Sequence, residues 1–221
     1  MMQIFFYLLW VVRIFDTNPS LDTLEKQWTL ADDEAVAIEL KFAEHIELIS
    51  SKSKQLKVVV EMEFDTDFSY EEVYQLAGES EDGQLYIQSV YDFEKLKREE
   101  LVVNNTTVSS QVHFKTLYKI YVPAGHSLSL KTISGNVEVR AVPNAMNIKT
   151  VSGYIDVDWS ENWGGAFRFS TIEGEIYTDF DFRKKQGSGV GLKLAQEYKG
   201  GGKLIQLKAV SGDIYLRKAG V

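Results

Sequence analysis

The sequence predicts an all-β protein: a single-stranded right-handed parallel β-helix, or β-solenoid, with rungs of about 19 residues. Three observations predict it. A twelve-residue pattern recurs four times in the second half of the chain, and in each copy apolar residues alternate on both sides of a central glycine. With 44% apolar residues and only 3 prolines in 221, the chain can bury the sizeable core that such a fold needs.

The copies are residues 128–139 (LSLKTISGNVEV), 146–157 (MNIKTVSGYIDV), 167–178 (FRFSTIEGEIYT) and 205–216 (IQLKAVSGDIYL). Their glycines, Gly135, Gly153, Gly174 and Gly212, are 18, 21 and 38 residues apart, and the last interval predicts one degenerate rung near 191–198. Period-two alternation makes each copy two strands with one buried face. Stacked about 4.8 Å apart, they would share inward rows, because a single rung cannot bury its apolar face alone. The expected rows are Leu130, Ile148, Phe169 and Leu207; Ile133, Val151, Ile172 and Val210; and Val137, Ile155, Ile176 and Ile214.

Between the two strands the chain must turn sharply, and glycine can take the positive φ that a side chain penalises by about 1 kcal/mol or more. Thr132, Thr150, Thr171 and Ala209 keep the corner small. The serines beside it, Ser134, Ser152 and Ser211, recur with the repeat and give way to Glu173 in the third copy, which marks corner geometry rather than a nucleophile.

The first half carries the same texture less regularly. Residues 36–49 (VAIELKFAEHIELI) read as a repeat whose glycine was lost; 56–64, 84–91 and 111–122 read as strands; 69–78 and 93–105 read as loops or short helical excursions. Residues 181–202, with Arg183, Lys184, Lys185 and a cluster of glycines, read as a mobile excursion before the last rung. Residues 4–12 (IFFYLLWVV) match the core of a secretory signal and are too short to span a bilayer; a buried first strand or a misassigned start are the alternatives. The expected organisation is a signal peptide or N-terminal strand over 1–20, irregular rungs over 21–125 and regular repeats over 126–221, with 21–221 one continuous domain.

A formal charge of −8, from 24 basic and 32 acidic residues, speaks against nucleic acid and against an anionic membrane as partner. Without cysteine there are no disulfides or thiolate metal sites, and His45, His113 and His126 lack ligand spacing, so no cofactor or metal is expected. Acid pairs occur at Asp65/Asp67, Asp156/Asp158 and Asp179/Asp181; on adjacent rungs Asp158 and Asp179 would stand about 5 Å apart, a separation that a retaining glycosidase uses. Like-charged neighbours on a solvated face give the same spacing. Tyr154, Tyr177 and Tyr215 fall outward beside the corner, with Trp159 and Trp163 flanking the next connection, and these five residues form the candidate binding face.

In the four segments LKTISGNVEV, IKTVSGYIDV, FSTIEGEIYT and LKAVSGDIYL, together with an opening comparable to residues 40–44, the sequence resembles a bacterial family of unknown function called "putative adhesins", in its Bacteroidetes-type form. The resemblance covers roughly residues 25–221 and implies β-helical repeats and an exported, periplasmic or cell-surface protein. It carries no catalytic residue. The expected function is a non-enzymatic surface scaffold that binds a protein or glycan. The alternative is a polysaccharide-active enzyme drawing on Arg140, Arg217 and Asp158. Because open solenoid ends expose unpaired strands, edge-to-edge self-association through the last rung is also expected.

Overall fold

In the computed structural model, residues 21–64, 70–96, 101–103, 106–108, 114–182 and 191–219 are described. The hydrophobic segment at 4–12, the acid pair Asp65/Asp67, His113 and the basic run at 183–185 lie outside them. The first half contributes β1 (Leu21–Thr29), β2 (Ala35–Ser51), β3 (Gln55–Phe64), α1 (Tyr70–Val73), β4 (Tyr74–Glu81), β5 (Gln84–Tyr91), α2 (Phe93–Leu96), β6 (Leu101–Val103), β7 (Thr106–Val108) and β8 (Phe114–Pro123). The repeats contribute β9 (Leu128–Arg140), β10 (Met146–Ser152), β11 (Ile155–Trp159), β12 (Gly165–Glu173), β13 (Ile176–Thr178), β14 (Leu192–Tyr198), β15 (Leu204–Ser211) and β16 (Ile214–Lys218).

The protein is all-β, and the four copies pair in parallel and in register. Met146 stands opposite both Leu128 and Ile205, Phe167 opposite Ile205, and Ile155 and Ile176 both opposite Ile214. Their order, however, is not the order of the chain. The fourth copy, β15 with β16, lies between the second (β10, β11) and the third (β12, β13). The expected degenerate rung is instead β14, which runs antiparallel to β12.

Antiparallel pairs also join β1 to β3, β3 to β8 and β4 to β5, so the sheet is mixed and a single-stranded parallel β-helix does not describe it. The physical reason lies in the connection. After β13 the chain travels to the outer side of β12 as β14, and then returns into the vacant slot beside β10. The last repeat is therefore interior, and its strands, paired on both sides, do not supply the free edge that the sequence reading placed there. On that side the edges are β14 and β13.

Residues 36–49 do form a further repeat. β2 pairs with β9 from Val36 opposite Leu128 to Ile49 opposite Arg140, with a register shift between Phe42 and His45. There one extra residue replaces the glycine corner, a β-bulge in function. β2 and β9 run through the corner, so the strands divide into two wings. The first runs β4, β5, β2, β9, β10, β15, β12, β14; the second runs β1, β3, β8, β2, β9, β11, β16, β13. Side chains pointing inward from both wings belong to one hydrophobic core.

Two of the three expected inward rows are buried: Leu130, Ile148, Leu207 and Phe169 in the first wing, and Val137, Ile155, Ile214 and Ile176 in the second. The third is reversed. Ile133, Val151, Val210 and Ile172 are 48%, 48%, 42% and 51% exposed, while Thr132, Thr150, Ala209 and Thr171 before them are buried. Strand parity explains this: two residues on from the inward Leu130 comes Thr132, so Ile133 must face out.

The buried threonines are satisfied locally. Thr132 Oγ1 donates to Ser134 O, Thr150 Oγ1 to Ser152 O at 3.0 Å, and Thr171 Oγ1 to Gly212 O at 2.8 Å. Backbones approach closely at the corner. A side chain on Gly135 would bring its Cβ within 2.7 Å of Ala43 O, and Gly153, Gly212 and Gly174 would each meet the carbonyl of the glycine on the neighbouring rung. Gly153 also has φ of 120°. The corner thus excludes a Cβ twice, by conformation and by contact.

The first half adds a second kind of core, in which tyrosine hydroxyls find one another. Tyr118 on β8 lies 3.2 Å from the Tyr74 hydroxyl and 3.1 Å from that of Tyr91, and Tyr91 donates to Phe42 O at 3.0 Å. All three rings are buried. Nearby, Trp28 lies against Gly78, where any Cβ would overlap the indole.

Two outcomes follow from this packing. Ile155→Ala should cost about 2–5 kcal/mol, whereas Val151→Ser should stay within about 0.5 kcal/mol of the parent, as read by urea unfolding. Burial holds the tyrosine hydroxyls of Tyr74, Tyr91 and Tyr118 neutral to higher pH than the ordinary value of 10.0. Above that value the unfolded chain releases these protons while the folded one retains them, so stability should fall as pH rises. Tyr118→Phe should flatten that fall in unfolding curves measured from pH 8 to 11.

Candidate binding faces

The outward face of the second wing carries the residues singled out by sequence. Pairing places Glu138, Asp156, Tyr215 and Tyr177 in one row across β9, β11, β16 and β13. Tyr177 and Tyr215 stack with centroids 5.0 Å apart and planes 11° from parallel, and Tyr154 meets Tyr215 edge-on at 6.2 Å. The three tyrosines therefore share one patch. Tyr177 is its most exposed member, and Tyr154 and Tyr215 are half-buried. Arg217 Cζ lies 5.2 Å from the centre of the Tyr215 ring, and the Tyr215 hydroxyl donates to Asp213 at 2.9 Å.

The tryptophans do not join them. Trp159 is fully buried, packing edge-on against Trp163 at 5.1 Å and against Phe167 at 5.8 Å. Its Nε1 donates to Trp163 O at 3.3 Å. Parity again gives the reason, since Trp159 follows Ile155 and Val157 on the inward side of β11. Trp163, half-buried, lies against the core in the return loop.

The charged residues proposed for catalysis are brought together and paired off. Arg140 forms ion pairs with Asp158 at 2.9 Å and with Glu138, and Arg217 Nε binds Asp156 at 2.9 Å. Asp158 and Asp179 do not stand side by side. β16 separates their strands, and Arg217 takes the place between them. The glycosidase-like spacing disappears with the sequential stacking that produced it.

Burial shapes this network. Asp156 is 6% exposed, and burial pushes its carboxyl above the ordinary value in spite of Arg217 and Arg140. Burial also raises Glu138, yet the Tyr154 hydroxyl, Arg140 and His45 together hold its carboxyl below the ordinary value. The Tyr154 hydroxyl, which donates to Glu138 at 2.8 Å, is pushed up to about 12 by burial and by that bond. Among the described residues no group of three or more His, Asp or Glu side chains is placed to hold a metal ion.

On the first wing the outward face holds two rows that sequence reasoning missed, because Ile133 and its equivalents were counted as core. Lys131, Lys149 and Lys208 stand in register on adjacent strands. The exposed row of Ile133, Val151, Val210 and Ile172 runs alongside. The lysine at the same place in three copies, KTISG, KTVSG and KAVSG, was the signal that could have found the first row.

Arg217→Met should cost about 1–3 kcal/mol by leaving the buried Asp156 carboxylate with only the more distant Arg140, at 4.0 Å. Because burial already favours the protonated form of Asp156, that deficit should shrink as pH falls through the carboxylate range and persist at pH 7. Paired unfolding curves of the parent and the variant between pH 3 and 7 check both the size and the sign.

No protein-family model matches the chain, and no curated protein does. Among solved structures, a "putative cell adhesion protein" from Clostridium sporogenes superposes with a TM-score of 0.51 at 12% identity, over 89% of this chain and 100% of that one. A "putative adhesin" from Bacteroides fragilis gives a TM-score of 0.25 at 12% identity, over 90% of this chain and 98% of that one. The Clostridium structure is similar to this chain in fold.

Proposed function

We propose that the protein is a non-enzymatic, adhesin-like scaffold that acts outside the cytoplasm and uses the tyrosine patch of its second wing to bind a partner, either a glycan or a protein. The observation that carries this reading is the stacked pair of Tyr177 and Tyr215 on a rigid sheet, with Tyr154 and Arg217 against it. Rigid aromatic rings lose little entropy on contact and offer both an apolar face and a polar tip, which suits sugar rings and protein hot spots alike. The acids around the patch are engaged by Arg140 and Arg217, which fits a surface held in shape better than one poised for proton transfer. The fold shared with the Clostridium "putative cell adhesion protein" supports the same reading. No described helix is long and apolar enough to cross a membrane.

Display of the full chain on a non-adherent bacterium should confer attachment to at least one surface in a panel of mucin, collagen, fibronectin and arrayed neutral glycans. Tyr177→Ala with Tyr215→Ala should lower that attachment at least fivefold. Attachment that survives the double substitution, or none to any surface, overturns the reading. Turnover of an arrayed glycan that Asp158→Asn abolishes would transfer the protein to the enzymes.

A further inference from the structure

The outward face of the first wing differs from the tyrosine face in that the lysines of its central strands form no ion pair, although Glu39 of β2 stands in register beside Lys131. Lys131, Lys149 and Lys208 are opposite one another on β9, β10 and β15, and beyond Ser170 of β12 the row ends on Lys193 of β14. Among the described residues, the lysines in ion pairs are Lys57, Lys95, Lys119 and Lys218, and none of these belongs to the row. Like charges directly opposite destabilise a sheet, so three lysines in register cost the fold something and return no contact within it. The chain as a whole carries a charge of −8, which makes this concentration of unpaired cations a local departure from its composition.

Beside the lysines runs the exposed row of Ile133, Val151, Val210 and Ile172. The two rows line a groove of about 390 Å³ in which Lys131, Lys149 and Lys208 run beside Ile133, Val151 and Val210, with Glu39 next to Lys131 at the start of the lysine row and Lys41 at the start of the aliphatic row. Two parallel rows that cross adjacent strands suit an elongated ligand. Spacing narrows the choice further. On the adjacent strands β9, β10 and β15 one lysine and one aliphatic side chain recur at each step, about 4.8 Å apart, near the length of one monosaccharide in an extended chain. An extended peptide repeats its side chains on one face at roughly 6.6 Å, and so falls out of step within three rungs.

We propose that this groove binds a linear acidic polysaccharide laid across the strands, its carboxylate or sulfate groups on the lysine row and the C–H faces of its sugar rings on the aliphatic row. The site is separate from the tyrosine patch and stands or falls independently of it.

The test uses the full chain with polygalacturonate and heparin oligosaccharides as probes, neutral dextran as control, and phosphatidylglycerol vesicles, polyglutamate and single-stranded DNA as competing polyanions. Binding to at least one of the two acidic glycans and not to dextran is expected, with affinity falling steeply as salt rises. Lys131→Gln, Lys149→Gln and Lys208→Gln combined should weaken that binding at least tenfold without lowering the melting temperature, because a repulsive row is removed. Ile133→Ser with Val151→Ser should weaken it at unchanged charge, and Tyr177→Ala should leave it intact. Failure to bind either acidic glycan, equal binding by the triple variant, or tighter binding to vesicles, polyglutamate or DNA overturns the proposal.

Discussion

The structure depends on the insertion of the last repeat between the second and the third. β12 departs from β10 by one strand width, and β13 departs from β11 by the same amount, leaving a slot lined on both sides by unpaired backbone groups. β15 and β16 fill it with parallel bonds to both neighbours. Without them β12 would retain only its antiparallel partner β14, and β13 would have no partner among the described strands. Buried backbone groups cannot be left unpaired cheaply, so the C-terminal residues complete the wing rather than extend it. Contacts this far apart in sequence are also expected to form late in folding.

The corner makes the insertion possible. Each of the four copies turns at its glycine with a small inward side chain before it, threonine in three and Ala209 in the fourth, so any copy fits beside any other. The glycine row from Gly135 through Gly153 and Gly212 to Gly174 brings each backbone against the carbonyl of the next rung. That contact keeps the two wings in register across all copies. Outward side chains at equivalent positions consequently line up into rows, which is how one short motif becomes a patterned surface on each wing.

The interchangeability of the copies sets the limit of what could be read from sequence. Strand segments, corner glycines, two of the inward rows and the hidden repeat at 36–49 were legible, because alternation and glycine spacing are local signals. The order of stacking was not, since LKTISGNVEV and LKAVSGDIYL present the same apolar rows to any neighbour. Two misplacements were avoidable by counting. Ile133 is three residues from Leu130 and Trp159 is four from Ile155, so parity alone puts the first outside and the second inside. Residue type suggested the opposite in both cases, and the pleat decided. The expected tyrosine patch survived the change of order, because Tyr215 came to lie beside both of the others.

The two outward faces show how differently one motif can dispose of charge. On the second wing the acids of one rung meet the arginines of its neighbours: Asp158 beside Arg140, and Asp156 beside Arg217. Moving the last repeat into the middle extends this alternation, for it sets Arg217 in the row beside Asp158 and leaves Asp179 outside it. On the first wing the same move has the opposite effect. It brings Lys208 beside Lys149, which already neighbours Lys131, and the serine of the third copy passes outside the cationic run. A single topological step thus neutralises one face and concentrates charge on the other. Folding gains from the first outcome and loses from the second, and a surface that costs the fold its own repulsion is where an external counter-charge has the most to offer.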